Sequence, residues 1–364
     1  MTMRPLCISA LLLVFGPMVV SHTEPRVGGL DVLRNLVSLN ADEVAAIDRG
    51  EPVVKTLDAQ EKREVAIVAV AWVRAPKECF VEKVKDIEHF KKNPAVLQIG
   101  KFQNPAQKRD LDRLTLDADE LSALRSCRVG NCSVKLPAIT IERLRREVNW
   151  SAPDHAQRAL SVIREDLLND IRSYLAAGNS GLIEYRDKSK AVRLADELQS
   201  LLGSWPDRDQ SIQAFRQYVA EYPRKPLPDV EDFLYWSKEH VGRKPVVSIT
   251  HVAIHHRPDR IFIASKQIYA SHYFDGSLGL TVAADPDNPT RRGMYLAYVN
   301  RSRIDALGGM FGGFLRAILR SRLREGVRKN LQQTVAQVES ACDGNRTVPA
   351  LAPLQKEIRE GATH

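Results

Sequence analysis

The sequence predicts an α+β fold in which a curved antiparallel sheet grips a long C-terminal helix, with an all-helical insertion between two parts of the sheet. Three observations predict this fold. Residues 65–73 are apolar at every position, which is typical of a strand covered on both faces. Residues 246–304 alternate strand-like segments with turns, and residues 308–341 then form one amphipathic stretch. Between these parts, residues 104–241 carry apolar side chains at helical spacing.

The first 21 residues have the three-part pattern of a secretory signal peptide. Arg4 supplies a positive charge, a nearly uninterrupted apolar run extends from Leu6 to Val20, and small residues precede a cleavage position after Ser21. The run is short for a membrane span, although an uncleaved anchor is the alternative. We therefore expect an exported protein, periplasmic or secreted, with residues 22–60 as an N-terminal extension.

The composition is that of a globular protein with a mild basic excess. The chain has 364 residues and a formal net charge of +8, and 44% of its residues are hydrophobic, which is enough for a sizeable core. The basic residues are spread along the chain, so nucleic acid is not an expected partner. Attraction to anionic lipid headgroups is more compatible with export.

Four cysteines follow the signal peptide, and an even number in an oxidising compartment predicts disulfides. Cys127 and Cys132 are separated by a Gly-Asn turn, which predicts a bridge between them. Cys79 and Cys342 would then pair by elimination, but nothing in the sequence places them together. A metal site is the alternative for the close pair. Because no CxxC spacing and no nearby histidine supports it, neither a metal nor a cofactor is predicted.

The elements before the helical stretch begin with a short helix near Ala41–Asp48. The apolar strand at 65–73 follows, and Pro76 ends it. The next residues, up to Lys92, have helical apolar spacing, and a short strand is predicted from Val96 to Phe102.

Six helices are predicted in the stretch from 104 to 241. The first begins at a capping box formed by Asp117 and Glu120. The remaining five are predicted at residues 139–148, 151–177, 188–202, 211–221 and 230–240.

Residues 242–342 are predicted to contain four strands and one long helix. The strands are predicted at 246–255, 261–274, 277–284 and 294–304. A turn is expected at 256–260, and the Asp275-Gly276 pair predicts a hairpin turn. The long helix is predicted from Gly308 to Ala341, and the polar residues 343–364 are expected to form a flexible tail.

The order of these elements resembles the START-like (helix-grip) superfamily. Residues 61–103 and 242–342 correspond to two parts of such a domain, and residues 104–241 would be a helical insertion. The resemblance concerns topology and includes no signature motif. It implies an apolar cavity between the sheet and the last helix, which in this superfamily holds lipids, sterols or polyketides. Some members are similar to cyclases or hydrolases in their chemistry.

Polar side chains are concentrated on the predicted strands, and we interpret several of them as ligand-binding residues. Strand alternation predicts that Tyr269 and Tyr273 share one face, while Lys266 and His272 share the other. The alternative is a solvated face with Arg301 paired to Asp305. The complete set of predicted ligand-binding residues, including three from the start of the long helix, is Lys266, Tyr269, His272, Tyr298, Arg301, Phe311, Phe314 and Ile318.

Two further patterns have both a functional and a structural interpretation. His251 and His255 are predicted on one face of a strand, but a third metal ligand is not evident, which favours a hydrogen-bonding role. The glycines of 308–313 indicate either close packing of the helix start or a flexible gate. The long helix also carries a basic stripe that predicts peripheral contact with anionic membranes, or else a solvated face, and its members are Arg316, Arg320, Arg324 and Arg328.

These patterns predict an exported binding or carrier protein for a lipid-like apolar ligand held between the sheet and the C-terminal helix. The sequence contains no GxSxG, HExxH, Walker or CxxC motif, which argues against the common exported enzymes. One alternative is an enzyme that acts on an apolar substrate through Tyr269, His272, Arg301 and Asp305. A second alternative is an interaction protein without a cavity, whose helical insertion binds another protein.

Overall fold

The chain forms an α+β fold built on one large antiparallel sheet. The computed structural model describes residues 29–205, 210–308 and 312–342, without the side chains of 31, 32, 35 and 312–321. The predicted signal peptide and the predicted C-terminal tail lie outside the described residues. No helix among the described residues is both long and apolar enough to cross a membrane.

Eight strands form the large sheet, and two short strands form a separate pair. In chain order the strands are β1 (Val53–Leu57), β2 (Glu64–Val73), β3 (Val96–Lys101), β4 (Glu184–Tyr185), β5 (Val192–Arg193), β6 (Val230–Val241), β7 (Lys244–His256), β8 (Arg260–Ala270), β9 (Phe274–Ala284) and β10 (Met294–Ile304). The order across the large sheet is β1-β2-β10-β9-β8-β7-β6-β3, and β4 pairs with β5.

The helices cover both faces of this sheet. In chain order they are α1 (Gly29–Leu36), α2 (Ala41–Asp48), α3 (Lys77–Lys85), α4 (Ile87–Phe90), α5 (Ala118–Ser126), α6 (Ala138–Glu147), α7 (His155–Ala177), α8 (Leu194–Leu202), α9 (Gln210–Glu221) and α10 (Gly312–Cys342). The capping box at the start of α5 is present, with Asp117 and Glu120 bonding each other's backbone amides.

The strands before and after the helical stretch belong to the same sheet. β2 pairs along its whole length with β10, so that Met294 lies opposite Val73 and Arg303 lies opposite Glu64. β3 pairs with β6 at the other edge. The two parts of the chain that the helical stretch separates therefore share backbone hydrogen bonds and form one unit.

One face of the sheet packs against α3, α4 and α10, and we call it the α10 face. Its apolar half includes Ala71 of β2, Leu296 of β10 and Ile263 of β8. These side chains share a core with Leu331 and Val338 of α10, which are buried. Because side chains alternate along a strand, the remaining positions point to the opposite face.

The opposite face, which we call the α7 face, is covered by two groups of helices. Helices α1 and α2 pack against β2 and β10, with Leu33 and Ile47 fully buried there. Helices α5 to α9 cover the other strands, and Leu167 and Phe215 belong to that larger core. Both faces of β2 are thus buried, as its apolar sequence predicted.

Three predicted elements are different in the structure. Residues 230–240 were predicted as the last helix but form β6, which pairs with β7 and β3, because both of its faces meet buried partners and hide the period of two. The predicted N-terminal extension contains β1, which pairs with β2. Asp275 and Gly276 lie inside β9, and the turn is made before them at Tyr273, whose φ is 64°.

Two disulfides connect the four cysteines. Cys127 is bonded to Cys132, as predicted, and closes the loop after α5. Cys79 is bonded to Cys342, which joins α3 to the last residue of α10 across a sequence separation of 263. Disulfides of this kind are typical of proteins that fold in an oxidising compartment.

Candidate functional site

The α10 face is apolar in one half of the sheet and polar in the other. On β10, Met294 and Leu296 are followed on the same face by Tyr298 and Asn300. The neighbouring strands change in the same way, because the paired register places polar residues next to each other. We call the following set the polar half: Ser237 and Glu239 on β6, Ser248 and Thr250 on β7, Ser265 and Gln267 on β8, Ser277 and Thr281 on β9, and Tyr298, Asn300 and Ser302 on β10.

Four of these side chains, all on central strands, form no hydrogen bond with any residue that the structure describes. They are Thr250, Ser265, Gln267 and Thr281. Thr250 is 7% exposed, and the other three are half-buried. The carbonyl oxygen of the Gln267 side chain is fully enclosed without a partner. Polar groups in such positions normally bond to protein or ordered water, so this cluster favours occupancy by water or a ligand.

An ion pair lies at the edge of the polar half. Nζ of Lys91 is 2.7 Å from Oε1 of Glu239 and 3.3 Å from the hydroxyl of Tyr235. Desolvation opposes the charge on Lys91, yet Tyr235 and Glu239 raise its pKa above the ordinary value. Desolvation would raise the pKa of Glu239, but Lys91 and Ser237 outweigh it and lower that pKa. Both groups are therefore charged at neutral pH.

Tyr298 extends from β10 across β9 into the middle of the polar half. Gly279 makes this possible, because a Cβ atom there would lie 3.3 Å from Cε2 of Tyr298. Desolvation raises the pKa of Tyr298 to about 12, and the nearest charged groups include Lys91 and Glu239. Its hydroxyl is consequently protonated and available as a hydrogen-bond donor at neutral pH.

The side chains of Lys91, Glu239 and Tyr298 are partly desolvated by the protein, yet each keeps some contact with solvent. The side chains of Lys91 and Glu239 keep 27% and 23% of their surface accessible, and Tyr298 is also half-buried. Nevertheless, desolvation is the largest influence on the pKa of all three groups. These three side chains are thus half-buried, and we call the part of the α10 face that they form together with the polar half the recess.

Lys266 and Tyr269, both predicted ligand-binding residues, lie on the α7 face beneath the helices. Nζ of Lys266 donates to Oδ1 of Asn179 at 2.5 Å and to the carbonyl oxygen of Val219 at 3.2 Å. The prediction that Tyr269 and Lys266 occupy different faces was wrong, because a register shift between Ile249 and Thr250 adds one residue to β8.

His251 and His255 lie on the α7 face, as alternation predicted, and both are buried. Nδ1 of His251 is 2.7 Å from the hydroxyl of Tyr174, and its Nε2 is 3.4 Å from Asp232. Desolvation lowers the pKa of His251, so the ring is neutral at pH 7. The described residues contain no group of three or more His, Cys, Asp or Glu side chains that could hold a metal ion.

His272 and Tyr269 meet at a small internal cavity. The cavity has a volume of about 30 Å³, and Ser271 and Glu120 also line it. Nδ1 of His272 is 2.9 Å from Oγ of Ser271, and desolvation lowers the pKa of His272 to about 4. A space of this size holds one or two water molecules and is too small for an organic substrate.

Arg301 lies on the α7 face and bonds Glu64 of β2 at 2.5 Å. The alternative pairing of Arg301 with Asp305 was wrong, because Asp305 accepts from Lys188 at 2.9 Å. A buried ionic cluster lies nearby, in which Lys135 of the helical stretch is 2.8 Å from Oδ1 of Asp275. The pair of Arg301 and Glu64 joins β10 to β2, and the pairs of Lys135 and Lys188 connect the helical stretch to the sheet and its following turn.

Of the predicted ligand-binding residues with described side chains, Tyr298 is the one on the α10 face. Phe311 lies outside the described residues, as do the side chains of Phe314 and Ile318. The sequence interpretation missed Lys91, Gln267 and Thr281. The alternation of Ser265 and Gln267 with Ala264 and Lys266 was visible in β8, but the sequence does not show which face meets the last helix.

A second cavity, of about 320 Å³, lies at the surface of the helical stretch. Its lining includes Asn179, Ser180, Arg193 and Gln199. The side-chain amide of Asn179 is already engaged by Lys266 and by the carbonyl oxygen of Ala220.

Comparison of the chain with protein-family models, with curated proteins and with solved structures finds no match in any of the three.

Proposed function

We propose that this protein binds or carries an amphipathic, lipid-like molecule in the recess on the α10 face, between the sheet and the C-terminal helix. The observation that carries the proposal is the polar half, a cluster of buried and half-buried side chains whose central hydroxyl groups have no partner among the described residues. In this proposal the sheet and α10 have the helix-grip arrangement, and the helical stretch is an insertion that covers the α7 face. Export is part of the same proposal, and the two disulfides support it.

The walls of the recess suit a molecule with two different ends. Phe90 and Ile99 are partly buried apolar residues packed against the core of the α10 face, and they would contact an alkyl or ring system. Tyr298 and Thr281, in the polar half that also contains Glu239, would hydrogen-bond its polar group. Peripheral membrane contact through α10 remains a prediction, with Arg324 and Arg328 exposed on that helix.

The enzyme alternative has less support. Tyr269 and His272 line a common cavity, but it holds only one or two water molecules. Arg301 and Asp305, the other predicted acid–base groups, are engaged in separate ion pairs.

Binding can be tested with Nile red, an uncharged probe whose fluorescence increases in apolar surroundings. Ser265→Leu fills the recess from the middle of the sheet and should weaken Nile red binding at least fivefold. Ser180→Leu is the matched control, because it places the same side chain in the 320 Å³ surface cavity. Native mass spectrometry of protein purified without detergent should also show a co-purifying mass that organic solvent extracts.

Two outcomes would contradict the proposal. In the first, Ser180→Leu abolishes Nile red binding and Ser265→Leu does not, which would place the ligand in the surface cavity. In the second, the folded wild-type protein binds no Nile red and carries no extractable mass. Thermal unfolding of each variant verifies that a loss of binding is not a loss of folding.

A further inference from the structure

We propose that the polar end of the ligand is uncharged and carries a hydroxyl group, and that the recess discriminates against carboxylate, phosphate and ammonium headgroups. The inference rests on the proposed function, because it specifies the chemistry of a ligand in the same recess. It follows from the charges that line the recess and from the hydrogen-bonding groups there that have no partner in the described part of the chain.

The charges in the recess already compensate each other. Lys91 and Glu239 are 2.7 Å apart, and they are the ionic pair that adjoins the polar half among the described residues. An anionic headgroup at Lys91 would compete with Glu239 and leave that carboxylate enclosed without a cation. An ammonium headgroup would leave Lys91 in the same situation. Breaking an enclosed ion pair is costly, so a charged headgroup should bind at least tenfold more weakly than a neutral one.

The groups of the recess that have no hydrogen-bond partner among the described residues match an alcohol. Thr250, Ser265 and Thr281 present hydroxyl groups, each of which donates one hydrogen bond and accepts others. Tyr298 adds a donor, because its hydroxyl does not ionise near neutral pH. The Gln267 side chain supplies an amide with donors and an acceptor. An alcohol also both donates and accepts, whereas a carboxylate only accepts and an ammonium group only donates.

The test uses three probes with the same alkyl chain, namely 1-decanol, decanoate and decylammonium, at pH 7.5. Each probe is titrated into the complex of the full chain with Nile red, and displacement gives the affinity. We expect 1-decanol to bind at least tenfold more tightly than either charged probe. Tyr298→Phe should weaken 1-decanol binding about threefold to tenfold, since it removes one donor.

Two variants reverse the selectivity if the charge argument is correct. Glu239→Gln leaves Lys91 without its partner, so decanoate should bind about tenfold more tightly to this variant than to the wild type. Lys91→Met leaves Glu239 alone and should improve decylammonium binding in the same way. The use of two variants keeps the test decisive if one of them does not fold. In both variants 1-decanol affinity should change less than the affinity for the favoured charged probe.

The outcomes separate this inference from the proposed function. If Nile red binds and decanoate or decylammonium equals or exceeds 1-decanol, the recess binds ligands but the inference is wrong. If Nile red binds and none of the three probes displaces it, the inference also fails, because the probe does not occupy the polar half. If the folded wild-type protein does not bind Nile red, the proposed function itself is refuted.

Discussion

At the scale of single residues, two enclosed lysines show how one neighbour decides a charge. Lys91 lies beside Glu239, and its pKa is raised although desolvation opposes the charge. Lys266 has no carboxylate partner among the described residues, and desolvation lowers its pKa from 10.5 to about 7. Within the part of the chain that the structure describes, its ammonium group contacts an amide oxygen, a carbonyl oxygen and the ring of Tyr174. Lys91 therefore serves the charge balance of the recess, whereas Lys266 reduces stability when protonated.

Lys266 makes stability depend on pH in a defined window. Between pH 7 and pH 10.5 the unfolded chain binds more protons at this residue than the folded state does. The free energy of unfolding should therefore rise with pH across this window, and the penalty is complete below it. Lys266→Met should flatten the rise and increase the free energy of unfolding at pH 7 by about 2 kcal/mol.

Urea unfolding at several pH values between 6.5 and 10 measures this effect. Lys225→Met, at an exposed lysine, is the control and should leave the pH dependence unchanged. An unaltered slope in Lys266→Met would show that Lys266 remains charged in the folded state throughout the window.

At the scale of elements, tertiary partners determined the secondary structure of residues 230–241 and the position of the turn between β8 and β9. Residues 230–241 have no regular alternation of apolar and polar residues, since Phe233 to Trp236 are covered from both sides. The same segment becomes a strand because β7 and β3 supply hydrogen bonds along both of its edges. The turn between β8 and β9 lies before the predicted Asp-Gly pair, because Asp275 lies within β9 and forms ion pairs with Lys135 and Arg63.

The disulfide between Cys79 and Cys342 should contribute more stability than the one between Cys127 and Cys132. It fixes the end of α10 to α3 and closes a loop with a sequence separation of 263, compared with 5 for the other bridge. In the loop-entropy model these closures are worth about 5.6 and about 2 kcal/mol, respectively. Urea unfolding of the two double Cys→Ser variants measures the difference. Equal losses in the two variants would contradict this ranking.

At the scale of the whole molecule, the helices of the described chain pack on the two faces of one continuous eight-stranded sheet. Its two faces differ, because most buried polar side chains of the α7 face form hydrogen bonds or ion pairs, whereas several on the α10 face have no partner among the described residues. The proposed ligand site is therefore a property of the sheet and of what covers it. No single segment of the sequence contains it, as Lys91, Gln267 and Tyr298 come from distant parts of the chain.

Export and disulfide formation together predict the covalent state of the mature protein. The sequence has five cysteines, of which Cys7 lies in the predicted signal peptide and the other four form two disulfides. Protein exported by a bacterial host should begin at His22 and contain no free thiol after denaturation without reductant. Intact mass and thiol titration measure both properties. A free thiol or a retained N-terminal segment would contradict the predicted processing.

The sequence by itself determined the α+β class, most strands and helices, the long last helix and the bridge between Cys127 and Cys132. These features depend on local periodicity, on capping and turn chemistry, or on cysteines that are close in the chain. Only the tertiary structure decided that β6 is a strand, that Cys79 meets Cys342, and that Tyr298 lies on the α10 face while Lys266, Tyr269 and Arg301 lie on the α7 face. The physical reason is that strand alternation fixes which residues share a face, whereas the elements that pack on each face come from far along the chain.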